Sequence, residues 1–269
     1  MRPQNRPPRH SGRPRRNPSH GPRERDPRRS PDEVVLYGWH PVVEALRNPK
    51  RTPRRLLATE NGARRLREEM GGALPIEPEL VMPRAIDNLL TPDAVHQGLY
   101  LVCDPLEGPD LDAVPDSAFL VVLDQVTDPH NVGAIVRSCA AFGVDAILTT
   151  ERHSPTATGV LAKAASGGLE HVPIIAVRNL GDALEKLGRQ GVLRVGLDSE
   201  GAATIDDTPM RRPLALVLGA EGKGLRQRTR EICDAVARLD MPGAIKSLNV
   251  SNAAAISLHV AMMKLKRPV

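Results

Sequence analysis

Aromatic residues are nearly absent from this chain: Tyr37, Trp39, Tyr100, Phe119 and Phe142 are the only five in 269. RNA-binding sheets that stack successive bases on aromatic rings are thereby excluded, so any RNA contact rests on charge and shape. Cysteine is equally scarce. Cys103, Cys139 and Cys233 are too few and too scattered for a disulfide framework, and no CxxC or Cys/His cluster offers zinc-ligand spacing. A reducing cytosol fits this usage, and no metal is expected. Long apolar runs are missing too. The most apolar stretch, residues 253–263, is interrupted by Ser257 and His259 and falls short of the roughly 20 residues a bilayer span needs. The first residues lack the apolar run of a signal peptide, and eight prolines within 1–31 forbid the amphipathic helix of a mitochondrial presequence. A cytoplasmic protein is expected.

Positive charge is plentiful but unevenly placed. Residues 1–31 carry ten arginines against Glu24 and Asp26, a net of +8, which leaves −3 for the other 238 residues out of a total of +5. With almost nothing aliphatic to bury, this segment reads as a disordered basic tail, either a phosphate-seeking arm or a solubilising extension. Residues 32–103 read as a small α/β domain, with a helix-like period in VVLYGWHPVVEAL and short strands in RRLLAT and LYLVC. Between 47 and 67 stand eight basic residues (Arg47, Lys50, Arg51, Arg54, Arg55, Arg64, Arg65, Arg67) against Glu60 alone. Beside an arginine tail and on an acidic body, that cluster is expected to meet RNA phosphates. Residues 104–117, with three prolines and five acids, read as a solvated linker.

From Ala118 to the end, residues 118–269, apolar runs alternate with helical patterns. Strands are expected at 119–124, 145–150, 171–177, 192–197, 214–219 and 235–240. Helices are expected at 131–142, 156–169, 179–190, 225–233 and 249–264. Strands buried on both faces and separated by helices imply a parallel sheet.

Three segments at strand ends carry the chemistry. In LDQVTDPHNVGAIVRSCAAFG (123–143), Asn131 stands where a helix N-cap would, and Arg137 is a charge in an otherwise apolar helix. Such a charge needs a partner, a structural carboxylate or an anionic substrate. In LVLGAEGKGL (216–225), Gly219, Gly222 and Gly224 permit close backbone approach and Glu221 projects between them. The order matches neither the G-x-x-x-x-G-K-[ST] nor the G-x-G-x-x-G nucleotide fingerprint. In LDMPGAIKSLNVSNAAAISLHVAM (239–262), Ser247, Asn249, Ser251 and Asn252 crowd the start of an alanine-rich helix, where capping is the ordinary role of each taken alone. That helix is suited to close packing against another helix or another subunit.

Together, NVGAIVRSCAAFG, LVLGAEGKGL and MPGAIKSLNVSNAAA resemble, in order and spacing, the three motifs of the SpoU/TrmH branch of the SPOUT methyltransferases, RNA ribose 2′-O-methyltransferases that use S-adenosylmethionine. The resemblance covers 118–269, and 32–103 looks like the ribosomal-protein-like substrate domain of ribosomal-RNA members. It implies an α/β fold with a C-terminal trefoil knot and a homodimer whose active sites form at the interface. The cofactor would be held around Gly219, Leu239, Ile245, Ser247 and Leu248. By the same resemblance Arg137 activates the ribose hydroxyl, with Asn131, Glu221 and Asn249 as its supporting groups. A guanidinium stays protonated in proteins, so Arg137 acts either as a base helped by an RNA phosphate or as a charge stabilising the developing alkoxide. GWHPVVEAL and KAASGGLEHVPIIAV resemble the subgroup acting on a guanosine of large-subunit ribosomal RNA or its precursor particle. A transfer-RNA ribose methyltransferase and a non-catalytic RNA-binding assembly factor are the competing readings.

Overall fold

The computed structural model describes residues 33–151 and 159–266. The basic tail expected at 1–31 lies outside the described residues, as does the start of the helix expected at 156–169.

The amino-terminal part forms a four-stranded sheet in the order β1-β4-β2-β3. Its elements are β1 (Val34–Tyr37), α1 (Trp39–Arg47), β2 (Pro53–Ala58), α2 (Glu60–Glu69), β3 (Glu79–Leu80), α3 (Pro83–Asp87) and β4 (Leu99–Cys103). The helical period expected to begin at Val34 starts five residues later. The four residues VVLY are buried on both faces as a strand antiparallel to β4, and Gly38, at φ +87°, makes the corner into α1.

The carboxyl-terminal part forms a seven-stranded, all-parallel sheet in the order β7-β6-β5-β10-β8-β11-β9. Its elements are β5 (Phe119–Asp124), α4 (Pro129–Phe142), β6 (Ala146–Thr150), α5 (Gly159–Ala165), a 3-10 turn (Gly168–Glu170), β7 (Ile174–Val177), α6 (Leu180–Arg189), β8 (Leu193–Leu197), β9 (Ala203–Thr204), β10 (Leu214–Gly219), α7 (Gln227–Ile232), β11 (Ala235–Arg238) and α8 (Val250–Leu265). Each expected strand and helix is found within a few residues of its place, and β9 adds a two-residue edge the sequence did not announce. The central pair β5 and β10, FLVVLD and LALVLG, is buried along nearly its whole length, the mark of a sheet covered on both faces.

Residues 104–117 are not a free spacer. Leu111 and Val114 pack on the core that α6 shares with the sheet, and Lys186 pairs with Asp112. The acidic segment is laid along the larger domain.

The topology fixes where a site must form. The chain leaves β5 outward through β6 and β7, then returns on the other side through β8, with β10 closing the gap. A crevice opens at the carboxyl ends of strands where the winding reverses. Here that point lies between β5 and β10, whose last residues, Asp124 and Gly219, are partners in register.

Candidate active site

Two buried carboxylates build the glycine loop that follows β10. Asp124 at the end of β5 is fully buried and takes the Arg226 backbone N–H at 3.1 Å and the Arg226 Nε at 2.6 Å. Asp198, just past β8, accepts the N–H groups of Leu225 (3.1 Å) and Glu200 (3.0 Å) and the Arg230 guanidinium at 2.8 Å. Burial by itself would raise the Asp198 carboxyl, but those two N–H donors and Arg230 outweigh it and hold it below the ordinary range. Gly219 owes its identity to this closure: a Cβ there would meet the Gly224 carbonyl carbon at 2.2 Å. The missing side chain at Gly219 thus lets the loop's own backbone close against it, and Gly224 N–H closes the turn onto Ala220 O at 2.9 Å.

Inside this loop lies a pocket of about 330 Å³. Its apolar wall is Leu197, Leu218, Leu239, Val250 and Ala253, and its rim carries Glu200, Glu221, Lys223, Arg230 and Lys246. Gly219, Leu239, Ser247 and Leu248, four of the five cofactor positions expected from sequence, line it. Ile245 does not: it is 75% exposed and outside the lining. A flat apolar base beside a charged group fits such a divided surface. Ser257 Oγ, in a residue of the lining, is the one buried side-chain polar atom without a partner among the described residues.

Beside the pocket three residues far apart in sequence converge; Glu221 lines it, and Asn131 and Asn249 meet Glu221 from outside the lining. Asn249 caps α8, its Oδ1 accepting Ser251 N–H at 2.9 Å. Its Nδ2 donates to Asn131 Oδ1 at 2.9 Å and to Glu221 Oε2 at 3.2 Å, and Asn131 Nδ2 lies 3.4 Å from the same carboxylate oxygen. Asn131 can do this because it is not the cap of α4. That place belongs to Asp128, whose side chain accepts His130 N–H at 3.0 Å, with Pro129 at the first helical position. The helix starts two residues earlier than expected, which turns Asn131 from a cap into a free amide in the first turn.

Arg137 departs from its expected setting. It is exposed on α4 rather than buried among apolar neighbours, it does not line the pocket, and no ion pair or hydrogen bond holds its guanidinium among the described residues. The basic cluster at 47–67 is paired within the chain. Arg47 pairs with Glu69 and Glu44, Arg51 with Glu170, Arg54 with Asp104, Arg55 with Glu79, Arg64 with Glu68 and Arg67 with Glu77, while Arg65 lies over the Trp39 ring at 4.2 Å. These arginines have acidic or aromatic partners within the chain, and Arg47, Arg54, Arg64 and Arg67 keep their side chains exposed. Burial pushes the thiol of Cys103 up to about 11, and those of Cys139 and Cys233 up to about 12, which disfavours their thiolate forms.

Sequence reasoning missed Asp124, Asp198, Arg226, Arg230 and Ser257. An acid directly after an apolar strand run was the available signal for the first two, since both sit at the carboxyl ends of strands where loops are anchored.

Comparison with known proteins settles the family. Residues 118–259 match the SpoU rRNA methylase family model, and residues 35–109 match the model for RNA 2′-O ribose methyltransferase substrate binding. The chain belongs to the SpoU rRNA methylase family. It is accordingly an S-adenosylmethionine-dependent RNA ribose 2′-O-methyltransferase. Among SpoU relatives, the 23S rRNA (guanosine-2′-O-)-methyltransferase RlmB of Pseudomonas aeruginosa is 37% identical over 236 residues, 83% of this chain and 93% of the relative. The protein of the same name from Xylella fastidiosa is 40% identical over 215 residues, 77% of this chain and 83% of the relative. In fold, the chain is similar to the SpoU methyltransferase AviRb of Streptomyces viridochromogenes in complex with AdoMet, with a TM-score of 0.75 at 24% identity, covering 87% of this chain and 90% of that one. Among the described residues no helix is long and apolar enough to cross a membrane, and no group of metal-ligating side chains is present.

Proposed function

We propose that this protein methylates the ribose 2′-hydroxyl of a guanosine in large-subunit ribosomal RNA, working as a homodimer. The observation that carries the reading is the meeting of Asn131 and Asn249 with Glu221, which lines a pocket walled by Gly219, Leu239, Ser247 and Leu248. The ribosomal guanosine is supported by the names of the relatives from Pseudomonas aeruginosa and Xylella fastidiosa. In this reading residues 32–103 are the substrate domain, similar to an RNA-binding ribosomal protein, and the segment after β11 is threaded as a trefoil knot.

The bound cofactor would supply the methyl electrophile. Gly219, Leu239, Ser247 and Leu248 would hold it against the apolar wall. Transfer needs the ribose oxygen in line with the methyl at about 3–3.5 Å. The amide of Asn131, fixed by Asn249 and Glu221 at 2.9–3.4 Å, keeps one Nδ2 hydrogen with which to orient that oxygen, and Asn249 holds Asn131 in place. Arg137 is exposed and has no partner among the described residues; in this reading a second copy brings it to bear, stabilising as a cation the charge that develops on the oxygen. α8 supports the dimer. It is apolar nearly all round yet leaves Ile256 (45%) and Met263 (48%) exposed, and an apolar helix of this kind is ordinarily covered.

Labelled methyl is to be transferred from S-adenosylmethionine to ribosomal RNA and, separately, to transfer RNA, each from cells lacking the protein, and the modified ribose mapped. Label on a single large-subunit guanosine is expected; label confined to transfer RNA overturns the substrate, and none on either overturns the catalytic reading for free RNA.

A further inference from the structure

The small sheet and the methyltransferase sheet are joined by more than the segment between them. α5 and the turn Gly168–Glu170 form a wedge with one face on each domain. On one side the wedge lies on α4 with no room to spare. A Cβ at Gly133 would meet Ala164 Cβ and the Leu161 carbonyl oxygen at 2.5 Å, and one at Gly168 would meet the Arg137 Cα at 3.3 Å. On the other side Ala162 is buried in the core of the small domain with Leu36, Val42 and Leu101, and Lys163 Nζ donates to Gln97 Oε1 at 3.3 Å.

The wedge ends in a fully enclosed ion pair. Arg51, beyond α1, and Glu170 expose 3% of each side chain. The guanidinium grips the carboxylate with both Nε (3.2 Å) and Nη2 (2.5 Å), and Nη1 donates to Asp104 O at 2.9 Å. Asn48 Nδ2 adds a fourth bond, to Glu170 Oε2 at 2.7 Å. A buried pair of this sort contributes little stability over an apolar pair of the same volume, and its best-attested use is to select one geometry among several. The fork-to-fork match fixes direction as well as distance.

Ribose and methyl must be aligned closely, since a misplacement of about 1 Å can cost about 10²-fold in rate. α4 carries both Asn131 and Arg137, so whatever fixes the small domain on the wedge fixes it relative to those side chains.

We propose that Arg51 and Glu170 are positioning residues that lock the substrate-binding sheet onto α4 and so determine which ribose of a bound RNA reaches Asn131, Glu221 and Asn249. The inference rests on the methyltransferase reading above and adds to it a determinant of site choice outside the pocket.

The test uses the full chain with both partners replaced by apolar residues, Arg51→Met with Glu170→Leu, so that no buried charge is left alone. Methyl transfer to transcribed large-subunit ribosomal RNA is measured and every modified ribose mapped. Binding of S-adenosylhomocysteine is measured by calorimetry alongside. The expected result is cofactor affinity within about twofold of the parent, turnover lower by about tenfold to hundredfold, and label spread onto riboses beside the original one. Arg51→Lys, which keeps the charge and loses the fork, is expected to lie between parent and double variant. It also serves as the decisive variant if the double variant fails to fold. Unchanged turnover on the same single ribose overturns the proposal and leaves the methyltransferase reading standing. If the parent itself labels no ribosomal RNA while binding S-adenosylhomocysteine, the substrate reading falls and this inference with it.

Discussion

The arginines of the small domain and Arg137 of the methyltransferase domain stand in opposite settings, although Arg226 and Arg230 of the latter domain are paired. In the small domain, arginines between 47 and 67 are matched by acids contributed from elsewhere, such as Glu69, Glu77, Glu79, Asp104 and Glu170. In the methyltransferase domain Arg137 stands exposed on α4 without a partner among the described residues. A run of basic residues therefore says little about where a phosphate binds until the acids that fold back onto it are known. A single arginine without a partner among the described residues says more, because no carboxylate of the described fold competes for its guanidinium.

The sharpest way to break this contrast is to remove the unpartnered arginine. Arg137→Ala is expected to lower methyl transfer by about 10²–10³-fold, the cost of losing one donor to a developing oxyanion, while S-adenosylhomocysteine affinity and the unfolding midpoint stay within error. Retained turnover, measured with labelled cofactor, would remove Arg137 from the chemistry. Next comes the most enclosed of the partnered arginines. Glu170→Gln leaves the Arg51 charge buried with a neutral neighbour, and is expected to cost about 3–5 kcal/mol in urea unfolding. A loss below about 1 kcal/mol would mean that water reaches the pair.

A third test asks whether the acids that organise the glycine loop act as charges. Asp198 is held below the ordinary carboxyl range despite its burial, so the stability it contributes is complete above about pH 4 and is lost as the pH falls through its lower folded value. Urea unfolding of the parent is expected to be flat around neutrality and to weaken in acid. Asp198→Asn is expected to flatten that acid limb and to lower stability at neutral pH by about 1.5–3 kcal/mol, the range for hydrogen bonds to a charged group. An acid limb of unchanged steepness in the variant would assign the loss to other carboxylates.

Much of this was legible in the sequence, and the misses share a cause. The parallel sheet was readable because runs such as FLVVLD and LALVLG are apolar throughout, a pattern that only doubly covered strands need. The segments bearing Asn131, Glu221 and Asn249 could be picked out, because polar residues at strand ends and helix starts are punctuation visible locally. What could not be read was anything set by a partner distant in the chain. Asn131 looked like a cap because Asp128, three residues earlier, was not weighed as the better one. Arg137 looked buried because its neighbours Ile135 and Val136 are, although a helix turns about 100° per residue and carries it to the other face. The charge count over 47–67 included Glu60 and missed Glu79, Asp104 and Glu170, which the fold returns to the same surface.

The smallest expected effect is the most direct test of the comparison itself. Charge reversal at Arg54 and Arg55 would be severe if these side chains gripped RNA phosphates, because each cation removed from a phosphate makes affinity less dependent on salt. In the structure Arg54 instead grips Asp104 through Nε (2.9 Å) and Nη2 (2.6 Å), and Arg55 grips Glu79 through Nε (3.0 Å) and Nη2 (2.9 Å). Exposed pairs of this kind contribute about 0.2–1 kcal/mol each. Arg54→Ala with Arg55→Ala is therefore expected to lower the unfolding free energy by no more than about 2 kcal/mol in total, and to leave the salt slope of ribosomal-RNA binding unchanged. A slope shallower by about two, measured by filter binding across a salt series, would show that RNA displaces Asp104 and Glu79 from these arginines, and the pairs within the chain would then be the resting state of an RNA-binding surface.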